Sequence, residues 1–234
     1  MKPSQLLSIQ VSPVSEIAAT GGDAWWDKPW TTGFYKQNVA GRIWLGYEGL
    51  RGDQQADRKH HGGAEKAACV YAVEHYPAWR DSLKLAEMAH GAFGENFTVQ
   101  GMVEAEVCVG DVFQIGAARV QVSQPRQPCW KLARRWRIKD LTTQVEQTGR
   151  TGFYFRVLHH GWVEAGETLE LLERPFPRFT IAHANGVMHH RKEDFAAAAE
   201  LAMCPLLSAS WKDSLWQRAE NQKAADALDR TRQR

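Results

Sequence analysis

No two of the four cysteines (Cys69, Cys108, Cys129 and Cys204) stand in a CxxC spacing, so a paired-cysteine zinc site and a thioredoxin-type motif are excluded. No apolar run approaches 18 residues, and the first residues contain no uninterrupted apolar segment of the secretory kind. A membrane span or secretory leader is therefore not expected, and a reducing cytoplasm is. Charge of one sign is scarce as well. The 29 Lys and Arg against 27 Asp and Glu leave a formal +2, which argues against a broad surface for a nucleic-acid polymer or a membrane but not against a small basic pocket. A Walker loop, GxGxxG, HExxH and GxSxG are all missing, which weakens P-loop, dinucleotide, zincin and α/β-hydrolase readings. What remains is a chain of 234 residues with 44% hydrophobic, 24% charged and 10% aromatic content. Those are globular values, so disorder, collagen and coiled coil are excluded as the main class.

Two regimes divide the chain. Up to about residue 175, short β-type runs alternate with turn residues: Gly41 to Tyr47, Val103 to Val109, Ala118 to Ser123, Gly152 to Leu158 and Thr168 to Leu172. Such spacing predicts a sandwich or barrel. Helices are expected at Glu74 to Ala89, starting irregularly at Pro77, and at Asp140 to Thr148, with Asp140 as cap and Gly149 as stop. Two prolines in Glu173 to Arg178 mark a connector. Beyond it, Phe195 to Met203 and Ser210 to Arg230 read as helices, the latter capped by Ser210 and carrying Trp211, Leu215, Ala219, Ala225 and Leu228 as an imperfect apolar stripe.

The most informative stretch is Ser123-Gln124-Pro125-Arg126-Gln127-Pro128-Cys129-Trp130-Lys131. Pro128 suits the first turn of a helix, which puts Cys129 near a positive dipole end with Lys131, Arg134, Arg135 and Arg137 close behind. That setting favours thiolate, a nucleophile and a soft-metal ligand, although a free cysteine is commonly a small buried filler. His61-Gly62-Gly63 with Lys66 can approach an anion, or can be a polar turn. Gly94-Glu95-Asn96 offers an acceptor and an amide to a polar ligand, or a plain turn. The acidic loop Leu50 to Asp57 lacks the spacing of a calcium loop. Trp25, Trp26, Trp30 and Trp44 suit core or interface packing, and His183, His189 and His190 are expected to face solvent.

Taken in order, seven segments resemble the MOSC domain, and within it the YiiM type. They are Thr32 to Lys36, Gly49 to Asp57, His61 to Gly63 with Lys66-Ala67, Phe93 to Asn96, Gly110-Asp111, Ser123 to Cys129 and Thr148 to Gly152. Leu207 to Trp211 resembles the C-terminal helices of that type. The resemblance implies a mainly β protein with helices (α+β): a barrel domain over residues 1–175 and a small helical bundle over residues 176–234. It implies molybdenum cofactor (Mo-pterin), with Cys129 as the thiolate on molybdenum, and a reductase of N-hydroxylated compounds such as 6-hydroxylaminopurine. Thr32, Lys36, His61, Gly62, Gly63, Asn96 and Arg126 are the implied cofactor cradle. His61 is the candidate proton donor, because an ordinary imidazole titrates near neutrality. The implied reaction cleaves N–OH to N–H plus water with two electrons and two protons. Without a flavin, haem or iron–sulfur motif, the electrons are expected from a separate donor protein. A homodimer is expected from the tryptophans and the apolar tail. The alternatives are a cofactor or sulfur carrier that does not catalyse, a thiol enzyme without metal, and a base-binding module.

Overall fold

The computed structural model describes the backbone of residues 4–232 and the side chains of residues 4–221. Seven strands form the frame: β1 (Ser4–Val11), β2 (Ala68–Ala72), β3 (Phe97–Gln100), β4 (Val112–Ile115), β5 (Ala118–Pro125), β6 (Phe153–His159) and β7 (Thr168–Glu173). Their order is β7-β4-β5-β6-β2-β3-β1, and β1 pairs back onto β7 through Ser4 with Leu169 and Gln5 with Thr168. Closure removes the free edges that an open sheet would expose. Every barrel pair is antiparallel except β2 with β3. The parallel pair needs a long crossover. That crossover carries helix α2 (Tyr76–Leu83) and the loop Gly91 to Asn96. A short helix, α1 (Arg58–His61), precedes β2.

The strands expected near Ile43, Ala118, Phe153 and Thr168 are present, and Ile43–Gly46 lies in a small three-stranded sheet with Gly49–Leu50 and Gly161–Val163. Val103 to Val109 is not a strand. The amides of Glu106 and Val107 turn back onto the Val103 carbonyl, and the rest of the segment bonds irregularly to residues 179–182. The helix expected from Glu74 to Ala89 is shorter: a 3-10 turn leads into α2, and Lys84 in left-handed backbone (φ 54°) ends it.

Helices α3 (Trp130–Trp136) and α4 (Leu141–Thr148) fill the span between β5 and β6, and Gly149 ends α4 at φ 69°. Asp140 precedes α4 but makes no side-chain cap bond. After the connector come α5 (Ile181–Asn185), α6 (Phe195–Ala202) and α7 (Ala209–Arg232). The cap of α7 is Ser208, two residues earlier than expected, since its hydroxyl accepts from Trp211 N–H at 3.4 Å. Trp211, Leu215 and Ala219 face inward as expected, whereas Ala225 and Leu228 lie outside the described side chains.

The tail helices share one apolar core with the barrel, from Leu6, Val120 and Phe155 to Leu201, Trp211 and Leu215. This explains why β5 is buried along both faces: Val120 and Val122 point into the barrel, while Ser123 accepts on its carbonyl from Ser208 N–H at 3.0 Å. His183 and His189 are half-buried rather than solvent-facing, each with Nε2 enclosed and unpaired. Their burial follows from the wide turn Gly186–His190 that extends α5 under α7, where Arg218 donates to the carbonyls of Val187 and Met188. Among the described residues no helix is long and apolar enough to cross a membrane.

Candidate functional site

β5 ends at Pro125, and the chain then passes through Arg126 and Pro128 to α3. Pro128 precedes the cap instead of occupying the first turn; Cys129 itself is the cap residue, in extended backbone. Its carbonyl accepts the Leu132 N–H at 3.0 Å, and its side chain is partly exposed. Cys129 opens into a cavity of about 70 Å³ whose wall also contains Thr32, Lys36, His61, Asn96 and Arg126. Six of the eight residues expected at the site therefore share one cavity.

Gly62 and Gly63 do not line it. The Gly62 N–H is spent on the Arg58 carbonyl at 3.1 Å, closing α1. Gly63 sits at φ 94° and lines a neighbouring surface groove instead. The pair lets α1 end sharply and sends His61 inward, while His60 on the same turn faces out to Asp57.

The wall also contains Asp53, Gln55, Cys69, Lys131 and Tyr154, none of which is among the site residues expected from the sequence. The Asp53 side chain is buried and holds Lys36 in an ion pair, and it also accepts from Ser12 N–H and Gln55 Nε2. Lys36 is thus a neutralised cation, held in place by a carboxylate. Lys66, Arg126 and Lys131 line the cavity without a salt bridge, so positive charge exceeds negative there.

Arg126 is 5% exposed. Its N–H donates to the Gly152 carbonyl at 3.0 Å and its Nη2 to the Phe93 carbonyl at 2.6 Å, yet Nη1 is buried with no partner. A buried guanidinium donor without an acceptor is costly and unusual in a native protein. Burial works against the Arg126 charge, but the nearby Cys69, Tyr154 and Cys129 hold its pKa above the ordinary arginine value.

The loop that presents Phe93 is organised by Glu95. This fully buried carboxylate accepts from Tyr76 hydroxyl, Gly91 N–H, Phe93 N–H and Thr98 hydroxyl. It has no capacity left for a ligand, contrary to the expectation that it offers an acceptor. Asn96 is similarly engaged: its amide oxygen accepts from Cys69 N–H at 3.1 Å and its nitrogen donates to the Gln10 carbonyl at 3.1 Å, tying β1, β2 and β3 together. Gly94 stands at φ 76°, where a Cβ would lie 2.8 Å from the Phe34 ring.

Burial, followed by repulsion from Lys131 and Arg126, lowers the His61 pKa to about 4. The imidazole is neutral at pH 7, so the argument from an ordinary near-neutral pKa does not hold for it. Cys69 is the second thiol of the wall. Burial pushes it up to about 11, which keeps it protonated. Burial likewise keeps the Tyr154 phenol protonated, with Cys69 as the next cause.

Two family models match the chain: the MOSC domain over residues 57–170 and the "YiiM-like, 3-alpha helix domain" over residues 179–222. The crystal structure of YiiM from Geobacillus stearothermophilus superposes with a TM-score of 0.77 at 37% identity, covering 93% of this chain and 100% of that one. The chain is a MOSC protein of the YiiM type. The uncharacterized protein YflK of Bacillus subtilis is 44% identical over 81% of this MOSC protein and 85% of its own length. A Gibberella moniliformis protein named "Reductase" is 33% identical over 88% of the chain, which corresponds to 36% of that longer protein. MOSC domains are associated, as a family, with molybdenum cofactor.

The residues present fit such a group. Cys129 offers the cavity a partly exposed sulfur, a donor type that suits a soft metal. The unpaired Arg126 Nη1 and the excess of cations suit the cofactor's anionic parts.

Proposed function

We propose that this protein is a molybdenum cofactor-dependent reductase of N-hydroxylated compounds, 6-hydroxylaminopurine among them, with Cys129 as the protein thiolate on the metal. One observation carries the reading: Cys129 shares a cavity with a buried arginine that has an unused donor, inside a wall richer in cations than in carboxylates. When bound, the cofactor supplies the two electrons of the N–OH cleavage.

The chain's own residues bind and orient. Arg126 offers Nη1 to an anionic oxygen, and Lys131 and Lys66 add charge at the same wall. Thr32 accepts the Phe34 N–H at 3.0 Å, which leaves its hydroxyl hydrogen free to donate. Asp53 fixes Lys36 and keeps its ammonium against the wall. Neutral His61 and the protonated Tyr154 phenol hold hydrogens beside Cys129 that can be shared with a departing hydroxyl. Electrons reach the site from a separate donor protein, in keeping with the missing flavin, haem and iron–sulfur motifs.

The test is expression in a host with an intact cofactor pathway, followed by molybdenum analysis and an assay of N-hydroxyadenine reduction with a competent electron donor. The reading requires stoichiometric molybdenum and turnover to adenine. Molybdenum without turnover would assign the chain to a carrier role, and turnover without molybdenum would reject the cofactor.

A further inference from the structure

We infer that the exposed indole of Trp130, with Trp25 beside it, is the platform on which the planar ring of a heteroaromatic N-hydroxylated substrate lies, making Trp130 a specificity-determining residue. This rests on the N-hydroxyl reductase reading above.

Trp130 directly follows Cys129 and opens α3, yet its side chain is 50% exposed. Trp25 is 39% exposed, with ring centroids 6.2 Å from Trp130. Trp30 stands 5.6 Å from Trp130, ring centroid to ring centroid. Trp30 and Thr32 are alternate residues of the strand Trp30–Thr32, so they share a face, and Thr32 belongs to the cavity wall. The aromatic group is therefore joined along the chain to two residues of the cavity wall, Trp30 to Thr32 two residues on and Trp130 to Cys129 directly before it.

The indoles are held from behind. Arg134, only 8% exposed, lies 4.7 Å from the Trp30 ring and 5.7 Å from the Trp130 ring, and its Nη2 donates to the Lys28 carbonyl. Their exposed faces are thus set in advance of binding. On that platform the ring lies one residue along the chain from Cys129, with its N–OH group directed toward that thiol. A substrate without a π face gains nothing there.

The experiment compares wild type with Trp130→Leu and Trp130→Phe, using N-hydroxyadenine and the ringless hydroxylamine as substrates. In Trp130→Leu the preference for N-hydroxyadenine over hydroxylamine, as the ratio of kcat/KM values, should fall about tenfold, mostly through KM, and Trp130→Phe should recover most of it. An unchanged ratio would overturn the inference. Loss of molybdenum from Trp130→Leu would also overturn it, because the indole would then hold the pterin. So would a change of oligomeric state, which would make the cluster an interface between copies. If wild type reduces neither substrate, the N-hydroxyl reading fails by itself. Equilibrium dialysis of N-hydroxyadenine then decides the platform separately: weaker binding to Trp130→Leu supports it and equal binding rejects it.

Discussion

Arg126 is anchored to the Phe93 carbonyl through Nη2 at 2.6 Å, and this contact leaves its other terminal nitrogen buried and unpaired at the wall it shares with Cys129. The anchor belongs to the loop after α2, whereas Arg126 follows β5. The donor is therefore aimed by a contact between two elements distant in sequence. Replacing Arg126 with Met keeps a similar side-chain length and removes the donor. The fold should persist, with a circular dichroism spectrum like wild type, while molybdenum retention during gel filtration drops at least tenfold. Retention equal to wild type would remove Arg126 from the cradle.

Glu95 acts through the same loop. It accepts four hydrogen bonds at full burial, and bonds to an ionised group contribute roughly 1.5–3 kcal/mol each in favourable cases. Glu95→Ala should lower unfolding stability by about 3 kcal/mol in urea titration, with a matching loss of midpoint and little change of slope. A loss under about 1 kcal/mol would show that the loop is held by other contacts.

The two thiols of the cavity should separate chemically. Cys129 is partly exposed, whereas Cys69 is buried and pushed up to about 11, and Cys108 and Cys204 are buried as well. Iodoacetamide at pH 8 on native protein without cofactor should label Cys129 first and leave the other three unlabelled until denaturant is added, as peptide mass spectrometry can read. Early labelling of Cys69 would contradict the packing of β2 against β6.

Stability should fall on mild acidification. His61 and His189 have folded pKa values of about 4 against an ordinary 6.5, with burial as the main cause in both. Between pH 6.5 and 4 the unfolded chain binds protons that the folded chain does not. Stability is therefore complete above pH 6.5 and is lost as pH falls toward 4. His189 lies in the tail, away from the cavity, so His189→Gln should flatten this slope without altering molybdenum content. Unfolding midpoints measured from pH 7.5 to 4.5 decide it; parallel profiles for variant and wild type would contradict the burial of His189.

Much of this site can be read in the chain because its parts are local. Pro125 to Cys129 carries its own turn and helix cap, and Thr32, His61 and Arg126 sit in short glycine- or proline-marked segments. The barrel strands at Ala118, Phe153 and Thr168 are visible for the same reason, since alternation and turn residues are nearest-neighbour signals. What escaped depends on closure of the barrel. Asp53 looks like one more acidic turn residue until Lys36 is brought against it, and Cys69 reads as filler until β2 places it opposite Tyr154 of β6. Val103 to Val109 has the composition of a strand, but Glu104 is drawn inward to His75 at 2.6 Å and to Gly152 N–H at 2.7 Å, which bends the segment out of any ladder. Glu95 shows the opposite error. It carries the residue type of a ligand contact, and its position turns it into an internal anchor.

The central claim is that Cys129 holds the metal. The most direct measurement is the molybdenum-to-protein ratio of Cys129→Ala beside wild type and Cys69→Ala, all purified from the same cofactor-competent host. The account predicts near-stoichiometric molybdenum in wild type, most of it kept in Cys69→Ala, and loss of the metal together with N-hydroxyadenine reduction in Cys129→Ala. A Cys129→Ala protein that retains molybdenum and reduces N-hydroxyadenine like wild type would contradict it.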